Sequence, residues 1–256
     1  MKWIPTLSLI YLLLSVSVAD AQEKELAVDP DLAKKGEKYE VKYKAYRVGN
    51  VPRYRFGPFK VVAGKAGWTK TSRLSSIWSN EVKLLSESKS HFNLVNGQGD
   101  TAWVNTFFYV STQYEESITL FSSSFINVAI GEDGNFEEEA LFTASILVNS
   151  NHDEWLLRLN AVENESQYME TYSLLTNGVR KIVLKHIYTD FKRGFFNAPA
   201  LGYEFWEAGE AIGAVKYFPG KMGYNAVWLR KKIPEDDKTL LAAAATTILF
   251  LKSMND

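Results

Sequence analysis

Residues 240–251, LLAAAATTILFL, form an uncharged run of twelve near the C-terminus. Nothing in it is more polar than Thr, and no polar stripe recurs at the helical period. Pro234 stands just before it, at a place where a first-turn proline is tolerated. Glu235, Asp236 and Asp237 follow, acids that suit the positive end of a helix dipole. The pattern predicts a helix over 234–253, about 28 Å long at ~1.5 Å per residue. Its uncharged part is only about 18 Å, short of the ~30 Å of a bilayer's hydrocarbon. A helix that is apolar all round has to be enclosed all round.

What precedes it reads as strands. In YEVKYKAY, Tyr39, Val41, Tyr43 and Ala45 alternate with Glu40, Lys42 and Lys44, the period of two expected of a half-buried strand. Similar runs recur through the chain and 35 residues are aromatic. The NGQGD connection (96–100), Asn177-Gly178 and the residues around Gly209 punctuate the runs as turns. Residues 118–130 are expected to form one long bent strand, and 76–86 is ambiguous. A sheet covers only one side of a helix, whereas a closed barrel covers every side and removes its own edges. The four alanines at 242–245 make a thin helix that a barrel wall can approach. The expected fold is therefore all-β, a closed antiparallel barrel of about 12 strands around a buried hydrophobic C-terminal α-helix. The alternative is a sandwich capped by a helix that meets a partner chain.

The other end of the chain carries a different signal. Residues 1–21 have Lys2, an apolar stretch at 4–18 and the small-x-small site Ala19-Asp20-Ala21. These are the parts of a cleaved secretory signal peptide, with cleavage expected after Ala21. Residues 22–36 read as a loose lead-in and 37–256 as one domain. There is no Cys, which excludes a lipoprotein anchor, a disulfide framework and thiol chemistry, and suits a secreted or periplasmic bacterial protein.

The architecture resembles that of the tubby C-terminal-like superfamily, which includes the LURP-one and phospholipid-scramblase domains. GYEFWEAGEAIGAVKYFPG (202–220), one further strand and the apolar helix are the residues that carry the likeness. The resemblance implies a non-enzymatic barrel associated with membranes or phosphoinositides. The tubby signature segments are not found here, so no binding residue is transferred by position. The export signal also sets this chain apart from relatives that are mostly intracellular.

Charge is segregated behind a net formal charge of −1. Residues 34–73 hold twelve Lys or Arg against two acids, and 81–170 hold fifteen acids against three bases. Lys42, Lys44, Arg47, Arg53, Arg55, Lys60 and Lys65 are interleaved with Tyr and Phe, so strand alternation sends the bases to the outer surface. There they would meet anionic lipid or an acidic glycan. The alternative is that these blocks cancel within the fold. Gly64-Lys65-Ala66-Gly67-Trp68 is echoed at Gly220-Lys221-Met222-Gly223-Tyr224. With Lys221 this motif could hold an anion on backbone N–H groups, but a turn with glycines at positive φ is the preferred reading.

No catalytic motif is present. His91, His152 and His186 lack metal-ligand spacing, FSSSF (121–125) lacks the glycines of a nucleophile elbow, and the acids at 137–139 do not fit a calcium loop. No catalytic residue, metal or cofactor is assigned, and nucleic acid is not expected as a partner at a pI of about 6.4. The sequence reads as an exported, non-catalytic binding or interaction domain for an anionic or lipidic ligand at the cell envelope. The alternatives are a secreted hydrolase of glycans or lipids, whose carboxylates leave no short signature, and a structural envelope protein.

Overall fold

The computed structural model describes residues 28–44, 49–75, 81–115, 118–122, 127–130, 137–149, 153–161, 173–187, 202–217 and 225–254. In chain order these form α1 (Pro30–Lys35), β1 (Gly36–Glu40), β2 (Lys42–Lys44), β3 (Arg53–Phe56), β4 (Phe59–Lys65), β5 (Lys70–Ser75), β6 (Glu81–Val95), β7 (Thr101–Glu115), β8 (Ile118–Ser122) and β9 (Asn127–Ile130). They continue with β10 (Glu137–Val148), β11 (Trp155–Ala161), β12 (Ser173–Thr176), β13 (Lys181–Ile187), β14 (Gly202–Glu207), β15 (Glu210–Lys216), β16 (Ala226–Arg230) and α2 (Glu235–Met254). The signal-peptide reading of 1–21 lies outside the described residues.

One antiparallel sheet runs β1-β16-β15-β14-β13-β12-β11-β10-β7-β6-β4-β3-β2, with β5 added to β6. Its two ends are neighbours in sequence. Only Val41 separates β1, which pairs with β16, from β2, which pairs with β3. Val41 is 3 % exposed and its N–H donates to Asn225 O at 2.9 Å. A single interrupted strand thus joins both ends, and the sheet curls into a nearly closed barrel, leaving few unpaired edges. Counting β1 and β2 as one, twelve strands make the ring.

Helix α2 packs inside it. Every residue from Thr239 to Leu251 is buried, and the four alanines have no exposed surface. Leu240, Leu241, Ile248, Leu249 and Phe250 join Phe56, Phe92, Leu157 and Phe205 of the wall in one core. Burial of each large side chain contributes roughly 1.5–3 kcal/mol. Thr246 and Thr247 satisfy their hydroxyls by donating to Ala242 O and Ala243 O, both at 2.8 Å. Among the described residues, no helix is long and apolar enough to cross a membrane.

Loops at the rim hold the first turn of α2. Asn96, between β6 and β7, donates to Thr239 Oγ1 at 3.2 Å, and Asn149, after β10, donates to Asp236 Oδ1 at 2.7 Å. Arg180, between β12 and β13, donates to both Asp237 and Glu207 and lies 5.3 Å from the Trp155 ring. Near the far end, Tyr54 Oη donates to Leu249 O at 3.2 Å.

Three sequence expectations change. Within the stretch read as a loose lead-in, residues 30–35 form α1, capped by Asp29 Oδ1 accepting from Leu32 N at 2.9 Å. Leu32 is fully buried against Ala214, Ala226 and Trp228 on the outside of the barrel, and Asp31 accepts from Arg230 at 2.8 Å. The polar composition concealed that one apolar anchor. Residues 118–130 are not one bent strand, because β8 and β9 fold back on each other. The ambiguous stretch enters β6 at Glu81, and its first part, 76–80, lies outside the described residues.

Candidate functional site

The predicted basic residues sort by register. In β3, Arg53 and Arg55 are exposed while Tyr54 and Phe56, 2 % and 1 % exposed, enter the core, the alternation a barrel wall imposes. Lys42 pairs across the sheet with Arg55, and Arg55 with Lys60, so three bases from three strands share one row. Lys44 pairs with Arg53 in the next row. Directly opposed residues on one face sit about 4.5–5.5 Å apart at Cβ, and like charges so placed are mutually destabilising.

Among the described residues, no carboxylate lies within ion-pair distance of Lys42, Arg53, Arg55, Lys60 or Lys65. Lys65 stands apart, further along β4 and opposite His91 of β6. Arg47 and Lys221 lie outside the described residues. Five of the eight predicted positions therefore gather on β2, β3 and β4, and a sixth marks the edge of a second feature.

That feature is a shallow, open cleft of about 390 Å³ on the outer wall. Two cross-strand rows build it. His91, Asn105, Ser145 and Leu156 form one, and Lys89, Phe107 and Thr143 the other, on β6, β7, β10 and β11. Lys89 Nζ lies 5.5 Å from the Phe107 ring centroid, and Ser145 Oγ donates to the Glu154 carboxylate. The residues alternate outward from SHFNL, NTFFYV and FTASIL. That spacing predicts their faces but not their alignment, which register alone sets.

The glycine motif has a different cause from the expected turn. Gly67 does not adopt positive φ. Its N–H donates to Ser90 Oγ at 3.1 Å, and a Cβ there would fall 1.7 Å from Lys89 O. The glycine lets the β4–β5 junction lie directly on β6, and both strands pair along that one edge. Trp68, the next residue, is 84 % exposed. The second copy, 220–224, lies outside the described residues.

A third polar group faces the barrel interior. The ring centroid of this group, His186, lies 4.8 Å from that of Tyr203 at a tilt of 46°. Burial, and secondarily the charge of Lys252, holds its pKa below the usual imidazole value. Among the described residues, no three of His, Asp and Glu gather at metal-binding distance. In comparisons with known proteins, the chain matches no family model, no curated protein and no solved structure.

Proposed function

We propose that this is an exported, non-catalytic binding domain that docks on anionic surfaces of the cell envelope through the outer face of β2, β3 and β4. One observation carries the reading. Lys42, Arg55 and Lys60 stand in a single cross-strand row, flanked by Lys44 and Arg53, and none of Lys42, Arg53, Arg55 and Lys60 has a carboxylate partner among the described residues. A fold gains nothing from such a row, because the like charges repel and no acid offsets them. An external polyanion relieves that repulsion and is attracted by the combined field. The N-terminal pattern of residues 1–21 supports export. A barrel around an apolar helix supports kinship with the tubby-like superfamily and, through it, association with a membrane surface.

The test is sedimentation of the purified protein with phosphatidylglycerol vesicles, phosphatidylcholine vesicles and a soluble polyanion at low and high salt. Binding to the anionic partners only is expected, weakening steeply as salt shortens the screening length. The double variant Arg55→Glu/Lys60→Glu should lower affinity about tenfold or more, or about 1.4 kcal/mol. Binding that ignores both salt and the double variant would overturn the reading.

A further inference from the structure

We propose that the outer cleft across β6, β7, β10 and β11 takes an acidic saccharide, a sugar bearing a carboxylate or sulfate within an oligosaccharide chain. The proposal rests on the anion-binding reading above and names a ligand class for the surface adjoining the basic rows.

The side chains divide by chemistry. Asn105 and Thr143 are neutral hydrogen-bonding groups from adjacent strands, presented on one face with Ser145, whose hydroxyl gives its proton to Glu154 and keeps its lone pairs to accept. A pyranose ring carries hydroxyls that both donate and accept, and such groups match it. A lipid phosphate offers acceptors only and is better served by cations. Phe107 supplies an apolar wall for the C–H face of a ring, and Lys89, held near that wall, supplies the charge for an acid group. Lys65 and His91, Cα partners on neighbouring strands, extend the donors toward the basic rows. A volume of about 390 Å³ lies within the ~300–1,000 Å³ of small-ligand sites.

Trp68 is a second, separate observation. An indole at 84 % exposure gains nothing from folding, and the residue before it, Gly67, lies against the Lys89 backbone by a contact that admits no Cβ. Trp68 does not line the cleft itself, but it follows a residue seated on the backbone of Lys89, which does, and an exposed indole there offers a sugar ring a stacking surface. Its large apolar area and indole N–H suit a partner that is both hydrophobic and wet.

The experiment is calorimetric titration of the purified protein with a short oligogalacturonate, with its neutral galactose counterpart and with phosphatidylglycerol vesicles. The acidic saccharide should bind, with the neutral one about tenfold weaker or more. Lys89→Ala and Phe107→Ala should each weaken the acidic saccharide by about tenfold, and Trp68→Ala by a similar factor. Should Phe107→Ala fail to fold, Asn105→Ala, at an exposed position, serves in its place.

Saccharide binding that survives the Lys89, Phe107 and Asn105 variants unchanged would remove the cleft and leave the basic rows as the binding face. Binding to vesicles alone would overturn the saccharide while the anion reading stands. No binding to either polyanion at low salt would overturn both.

Discussion

Asp237 receives two hydrogen bonds from the Arg180 guanidinium, Nη1 to Oδ1 at 2.9 Å and Nη2 to Oδ2 at 3.1 Å. The same guanidinium makes two 2.9 Å bonds to Glu207. One side chain on the β12–β13 turn therefore ties β14 to the first turn of the central helix. The fork geometry of arginine is what allows two carboxylates to share it. Arg180→Ala leaves those carboxylates facing each other at the helix entrance. It should destabilise the protein by about 1–3 kcal/mol, toward the lower end because the site is partly wet. The shift in urea midpoint measures this. Arg180→Lys, lacking the fork, should recover only part of the loss.

The enclosure of α2 makes its middle intolerant of charge. Ala244 has no exposed surface, so Ala244→Asp places an unpaired carboxylate in a dry core, at a cost exceeding the stability of an ordinary domain. The variant should accumulate as insoluble or unfolded protein. A soluble variant with an unchanged melting temperature would show that the helix is not enclosed. Leu249→Ala is the graded version, expected to cost about 2–5 kcal/mol with the fold retained.

The basic rows set stability against binding. Arg55 lies between Lys42 and Lys60, so Arg55→Glu converts two like-charge contacts into two opposite ones. It should raise stability by about 0.2–1 kcal/mol while weakening anionic vesicle binding. Residues kept for function commonly show this opposition. A melting temperature that falls, or vesicle binding that rises, would argue against the site.

Acid should weaken the fold partly through His186. Its folded pKa is depressed by burial, whereas the unfolded chain titrates near 6.5, so below that value the unfolded state binds more protons. The contribution of His186 to stability is fully present above the unfolded pKa and is lost as pH falls below it toward the lowered folded pKa. Melting temperature should decline as pH falls below about 6.5, and His186→Gln should flatten that decline. An unaltered slope would assign the acid sensitivity to other groups.

The parts of the fold that follow from composition or from adjacent residues were legible in the sequence. An all-apolar helix requires enclosure, and residues 240–251 state that demand without reference to their partners. The Asn177-Gly178 and Ala208-Gly209 turns are similarly local, with Gly178 at φ 89° and Gly209 at φ 83°. Where the outcome depended on register between distant strands, the sequence was silent. That Lys42, Arg55 and Lys60 share a row, while Lys65 faces His91, is decided by pairings that alternation does not contain. The cleft was missed for the same reason, since its side chains come from strands up to 67 positions apart, from Lys89 to Leu156. Trp68 was hidden by a different cause. The glycine before it looked like a turn residue, but it is required by contact with a strand twenty-two residues later, at Lys89.

The seam at Val41 has a consequence for the order in which the molecule can come into being. Among the described elements, the strand that joins the two ends of the wall comes first of the strands, while the helix the wall surrounds follows them all. A wall assembled during synthesis would enclose a void lined with Phe, Leu and Ile, and voids of that kind are unstable. The twenty residues of α2, which follow every described strand in the chain, are therefore the ones around which the rest must gather. A wall without α2 would have nothing to wrap, so wall and helix have to come together in one step.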